Sequence, residues 1–168
     1  MIKPSVSIII ITYNQEKFIS QAIDSVLEQK DIGDIEIIIG DDASKDGTKA
    51  ILDGYKSKYP NVFNIFSRPI NLGPTKNFYE LFKHCNGDYI AVLEGDDYWT
   101  DPYKLFKQTN FLEKDNSFIA CVHRYKTIDE NDNVIQDEYS GHGTPKLGLY
   151  TLDDFKTILG VDPLLIYF

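Results

Sequence analysis

Residues Val6 to Asn14 read VSIIIITYN, and from Val6 to Thr12 every residue except Ser7 is β-branched. Such side chains are stiff at χ1 and favour extended backbone. The run shows no alternation of apolar and polar positions, so both of its faces must be covered. That is the pattern of a strand inside a parallel sheet with helices above and below. It is far too short to span a bilayer. It ends in Thr12-Tyr13-Asn14, where a buried strand comes to the surface.

The segments around it fit the same plan. Glu16 to Gln29 places Phe18, Ile19, Ala22, Ile23, Val26 and Leu27 on one helical face. Gly33-Asp34 breaks the chain, and Ile35–Gly40 is a second buried strand. Asp46 can cap a helix from about Gly47 to Ser57, with Ile51, Leu52 and Tyr55 inward. Asn61–Ser67 is a third strand. A turn over Asn71–Pro74 leads into a helix to about Cys85, with Phe78, Leu81 and Phe82 inward. Asp88–Leu93 is a fourth strand. Thr100-Asp101-Pro102 starts a helix running to about Lys114, with Leu105, Phe106, Thr109 and Leu112 inward. Ser117–Asp129 is expected as a fifth strand, followed by a turn at Glu130–Asn133. Beyond a loop over Tyr139–Tyr150, a short helix is expected at Thr151–Leu159. Alternating strands and helices imply right-handed crossovers and a parallel sheet covered on both faces.

In such sheets ligands bind beyond the carboxyl ends of the strands. Thr12, Tyr13 and Asn14 lie there after the first strand, and Asp41-Asp42 after the second. Asn71 and Gly73 precede the third helix, with Lys76 in its first turn. Glu94-Gly95-Asp96-Asp97 follows the fourth strand. Glu94 and Asp96 are two residues apart and would point to one side of an extended backbone. At ~5 Å and an effective dielectric of about 20, two such charges repel by roughly 3 kcal/mol. A carboxylate cluster with no compensating Arg suits a hard divalent cation, Mg2+ or Mn2+. Such an ion takes one or two carboxylates and keeps positions for phosphate oxygens.

The totals exclude some classes. The chain has 168 residues, enough for one domain with a core, and its net charge of −9 argues against a general nucleic-acid binder. No signal-peptide pattern or transmembrane run is present, and Cys85 and Cys121 form no CxxC pair. Reduced thiols and a cytoplasmic location are expected, with peripheral attachment at the inner face of the cell membrane as a further option. The glycine fingerprint of dinucleotide-binding folds and the P-loop are both absent. His84, Cys85, Cys121 and His123 match no common zinc spacing. Tyr98 and Trp99 are expected to pack under a loop, with a sugar platform as the alternative.

Four stretches together, VSIIIITYNQEKFISQAIDSVLEQ, EIIIGDDASKDGT, NLGPTKNF and GDYIAVLEGDDYWTDPYKL, resemble successive motifs of the inverting family 2 glycosyltransferases. The resemblance covers about the first 130 residues. It implies a GT-A-like three-layer α/β/α sandwich, its mostly parallel sheet carrying a Rossmann-like nucleotide-binding half. It also implies a nucleotide-diphosphate sugar donor of UDP or GDP type and a glycan or lipid-linked acceptor. Tyr13 would lie against the base and Asp42 would contact it. The family's DxD stands here as Glu94-Gly95-Asp96, with ribose and metal contacts. Thr12, Asn14, Asn71, Gly73 and Lys76 complete the donor site, and Asp96, Glu94 and Asp97 are the candidate ligands of Mn2+ or Mg2+.

The family places its catalytic base after a further strand, and Gly160–Phe168 looks like the start of that strand. The base is therefore expected beyond Phe168, and Asp162 reads as a turn residue before Pro163. Residues 1–168 are expected to form a single C-terminally truncated domain. Residues 1–129 would be the nucleotide-sugar-binding half and 130–168 the start of the acceptor side. The apolar end, Leu164 to Phe168, suggests a homodimer through that strand. Two alternatives stay open: a non-catalytic nucleotide-sugar-binding or interaction module, and a sugar-phosphate nucleotidyltransferase.

Overall fold

A computed structural model describes residues 3–115, 119–123 and 125–136. The chain divides into two compact units, Met1–Phe111 and Leu112–Phe168.

The first unit is built on four strands: β1 (Val6–Thr12), β2 (Ile35–Asp41), β3 (Phe63–Ser67) and β4 (Tyr89–Glu94). Their order is β3-β2-β1-β4 and every pairing is parallel. The helices α1 (Ile19–Leu27), α2 (Thr48–Lys58) and α3 (Pro74–Phe82) make the crossovers, and α4 (Lys104–Leu112) follows β4. β1 lies between β2 and β4, with Ile9 opposite both Ile38 and Val92. This is why its apolar run is unbroken.

Period-two geometry divides that run between two cores. Ile8 and Ile10 join Ile37 and Ile39 on one face, where Ile19, Ile23 and Val26 of α1, Leu52 of α2 and Leu105 of α4 pack. Ile9 and Ile38 face the other way and meet Leu81 of α3. Burying an isoleucine of this kind contributes about 1.5–3 kcal/mol. Asn77 is buried in α3 and its Nδ2 donates to Gly40 O at 2.8 Å, tying that helix to β2.

The amino end of the sheet is closed by a polar knot. Ser7 Oγ donates to Glu36 Oε1 at 2.6 Å and accepts from Gly87 N–H at 2.8 Å. Asn86 N–H also donates to Glu36 Oε1 at 2.6 Å. Burial pushes the Glu36 carboxyl up, but the hydrogen bonds from Ser7 and Asn86 outweigh it and hold the group below the ordinary carboxylate value.

Several expectations need correction. The helix expected from Glu16 begins at Ile19, and Phe18, Phe82 and Phe106 are exposed rather than inward. Each lies at the margin of a helical stripe whose centre is taken by neighbouring apolar residues such as Ile19, Leu81 and Leu105. Among the described residues of Ser117–Asp129 only β5 (Thr127–Ile128) is strand, and it pairs antiparallel with β6 (Val134–Gln136). Ile119, Val122 and Tyr125 are exposed. The turn at Glu130–Asn133 is present. Asp129 organises it by accepting from Asn131 N–H at 2.8 Å and Asn133 N–H at 2.9 Å. The expected loop at 139–150, the helix at 151–159, the terminal strand with Asp162 and the dimer through it lie outside the described residues. Among the described residues no helix is long and apolar enough to cross a membrane.

Candidate functional site

The carboxyl ends of β1, β2 and β4 carry the residues singled out above, and two of the loops are zipped together. After β1 the chain turns at Asn14, which sits at φ 55°. Asn14 N–H donates to Ser44 Oγ at 2.9 Å, and Lys45 N–H donates to Asn14 Oδ1 at 2.7 Å. Gln15 N–H donates to Thr48 Oγ1 at 2.9 Å, and Glu16 N–H to Asp46 Oδ2 at 3.0 Å. Asn14 therefore serves as a clasp between the β1–α1 and β2–α2 loops. The N-cap of α2 is Gly47 rather than the expected Asp46, which stands one residue earlier and accepts from Thr48 N–H through Oδ1 at 3.0 Å. Tyr13, between the buried Thr12 and the clasp, leaves 45% of its surface in solvent. An aromatic ring held out beside a rim is a surface on which a planar group can stack.

Asp41 and Asp42 are both buried. Asp41 Oδ1 accepts from Ser44 N–H at 3.0 Å and shapes its own turn, in which Ala43 holds φ 68°. Asp42 reaches across the rim. Its two carboxylate oxygens accept from Leu72 N–H and Gly73 N–H, each at 2.8 Å. Two charge-assisted bonds are what allow a carboxylate to be buried here. Asn71 Oδ1 also accepts from Gly73 N–H at 2.9 Å. Gly73 stands at φ 82°, a conformation that glycine takes without strain. The turn delivers the chain into α3, whose first helical residue is Pro74. Lys76 is exposed in the first turn of that helix, so its charge adds to the positive end of the helix dipole.

The acidic turn follows β4. Asp97 N–H donates to Glu94 O at 3.1 Å, closing a four-residue turn, and Gly95 N–H donates to Ile11 O at 3.0 Å. Glu94, Asp96 and Asp97 are exposed while Gly95 is buried beneath them. Burial pushes the Glu94 carboxyl above the ordinary carboxylate value, and the charges of Asp96 and then Asp97 push the same way. Among the described residues no three His, Cys, Asp or Glu side chains converge into a metal site of their own. The donor set still fits a hard cation, because Mg2+ and Mn2+ bind through one or two carboxylates with the remaining oxygens from phosphate and water. Asp96 and Glu94 would hold such an ion, with Asp97 adding charge.

Trp99, His84 and Cys85 make packing contacts. Trp99 is buried, its backbone N–H donates to Ser25 Oγ at 3.1 Å, and Lys104 Nζ lies 4.0 Å from its ring centroid. His84 stacks on Phe66 with centroids 4.4 Å apart, and burial raises the Cys85 thiol. Sequence reasoning missed Gln15 and Thr48, because their pairing depends on two loops 33 positions apart coming together.

The parallel sheet with its helices is an α/β fold of the GT-A type. The chain belongs to glycosyl transferase family 2, whose model matches residues 7–160. It is 37% identical over 118 residues to the abequosyltransferase RfbV of Salmonella typhimurium, covering 69% of this chain and 35% of RfbV. Staphylococcus aureus TarS, solved in complex with UDP, superposes with a TM-score of 0.59 at 27% identity over 66% of this chain and 32% of that one. The mannosyltransferase PcManGT from Pyrobaculum calidifontis, solved with GDP-Man and Mn2+, gives a TM-score of 0.65 over 73% of this chain and 36% of that one. At 24% identity that likeness carries the fold alone. The chain spans between 19% and 47% of the length of curated relatives it matches.

Proposed function

We propose that this protein transfers a sugar from a UDP- or GDP-type nucleotide-diphosphate sugar to a glycan or lipid-linked acceptor, with inversion. The observation that carries this reading is the tie between Asp42 and the Asn71–Gly73 turn. It draws the loops after β2 and β3 together on the rim that also carries Tyr13 and Glu94-Gly95-Asp96. Family membership and the nucleotide-bound relatives support it.

In this reading Tyr13 stacks on the base and Asp42 acts on it both directly and by holding the Asn71–Gly73 turn. Thr12 lines the floor of the site, with Asn14 holding the loop that carries Tyr13. Lys76 and the start of α3 attract the diphosphate. Glu94 contacts the ribose, and Asp96 with Glu94 and Asp97 would bind Mn2+ or Mg2+. When bound, that ion supplies Lewis acidity to the leaving diphosphate. The acceptor hydroxyl attacks the anomeric carbon from the face opposite the diphosphate, so a single displacement inverts the centre. A carboxylate takes the hydroxyl proton.

Calorimetric titration of UDP and GDP with Mn2+, with EDTA as control, tests the donor site. Binding of one of them that strengthens with the metal is expected. Equal affinity in EDTA would overturn the metal role, and no binding of either nucleotide would overturn the donor site.

A further inference from the structure

We infer that Gln15 is a positioning residue for the acidic turn: its side-chain amide fills the space under Gly95 and sets the height at which Glu94 and Asp96 are presented. The inference deepens the metal-assisted donor site proposed above and rests on that reading.

The glycine in Glu94-Gly95-Asp96 is not required by backbone conformation. Gly73 is the one glycine at positive φ among the described residues, so Gly95 has dihedrals that any residue adopts. It is required by space. A Cβ on Gly95 would be driven into Gln15 Oε1, with Thr12 Cβ at 2.9 Å and Thr12 Oγ1 at 3.0 Å. The turn therefore lies directly on the side chains of Gln15 and Thr12.

Gln15 is a fixed support. Its N–H is held by Thr48 Oγ1 at 2.9 Å, and its carbonyl accepts from Phe18 N–H at 3.0 Å and Ile19 N–H at 2.9 Å. The backbone is thus clamped by the first residue of α2 on one side and the start of α1 on the other. Gln15 Oε1 is buried and has no hydrogen-bond partner among the described residues. Thr12 Oγ1 shares that state, and both atoms lie beside Gly95. Gly95 is also held by its N–H bond to Ile11 O at 3.0 Å and by Thr12 beneath it. That bond fixes one point of the turn, and the contact with Gln15 fixes its height. Supports behind a metal ligand act in this way: they aim the ligand without touching the ion.

Three variants separate this role from general packing: Gly95→Ala, Gln15→Ala and the double variant. Mn2+ binding is read by electron paramagnetic resonance, and UDP and GDP affinity by calorimetry with Mn2+ and with EDTA. Gly95→Ala is expected to lose about 10–100-fold in Mn2+-dependent affinity, with binding in EDTA unchanged. The double variant is expected to recover part of that loss, because the new methyl gains the space the amide vacates while still meeting Thr12 Cβ. A double variant no tighter than Gly95→Ala overturns the inference. If Gly95→Ala does not fold, Gln15→Ala decides: a loss of about tenfold in Mn2+-dependent affinity with binding in EDTA unchanged supports the inference, and wild-type affinity overturns it. If the wild-type chain binds Mn2+ but neither nucleotide, the donor reading fails and Mn2+ binding alone decides among the same variants. If it binds no Mn2+ under any of these conditions, the inference fails as well.

Discussion

Asp42 decides two things at once. Its carboxylate is buried, and both oxygens are engaged by Leu72 and Gly73 N–H groups at 2.8 Å. Asp42→Ala would strip Leu72 N–H of its acceptor and leave Gly73 N–H with Asn71 Oδ1 alone. Hydrogen bonds to charged groups are worth about 1.5–3 kcal/mol each, with partial recovery as water enters, so a net loss of about 3 kcal/mol is expected. Nucleotide affinity should fall in the same variant, because the Asn71–Gly73 turn moves. Urea unfolding and UDP or GDP calorimetry on one preparation check both. An unchanged unfolding midpoint with lost affinity would show that Asp42 reads the base alone and that the turn stands without it. Sequence made this acid visible as a rim residue, since it follows a buried strand. It could not show where the oxygens point, because the partners lie 30 and 31 positions downstream. Asn14 carries the same lesson: its position on the rim was legible, and its use as a clasp on Lys45 was not.

At the scale of elements, the polar knot under the sheet joins β1, β2 and the connection from α3 to β4 through one carboxylate. Glu36 is held below the ordinary carboxylate value in the folded protein, and an unfolded glutamate titrates near ~4.3. A depressed acid contributes stability that is fully present above the unfolded value. That contribution is lost as pH falls through the folded one. Glu36→Gln should therefore cost about 1–2 kcal/mol at neutral pH, from the bonds to Ser7 and Asn86. The gap to the wild type should close in strong acid. Thermal unfolding of both proteins from neutral to acidic pH checks the sign, and a gap that widens on acidification would show that burial dominates the shift. The four strands of this sheet were legible because each is a short β-branched or aromatic run bounded by turn residues. The stretch from Ser117 to Asp129 has similar residues, yet among those described only Thr127–Ile128 is strand. Composition alone does not distinguish a strand that finds parallel neighbours from an apolar run that stays exposed, as Ile119 and Val122 do. Pairing is a long-range property.

For the molecule as a whole, charge sets the terms of donor binding. The chain carries a net charge of −9, and Glu94, Asp96 and Asp97 stand exposed on the rim. A diphosphate approaching without a cation meets repulsion from both. Lys76 and the positive end of α3 oppose it only locally. Salt screens charges over about 10 Å at 0.1 M and about 30 Å at 0.01 M ionic strength. In EDTA, raising the salt between these limits should therefore strengthen or leave unchanged the binding of UDP or GDP, since it screens a net repulsion. With Mn2+ at saturation the same change should weaken binding, since it screens the attraction of the cation for the diphosphate. Calorimetry in four buffers, two salt levels with EDTA and the same two with Mn2+, reads both signs. A basic anion pocket would lose affinity with salt whether or not the metal is present. That result would move the diphosphate away from the acidic turn and onto Lys76 and the first turn of α3.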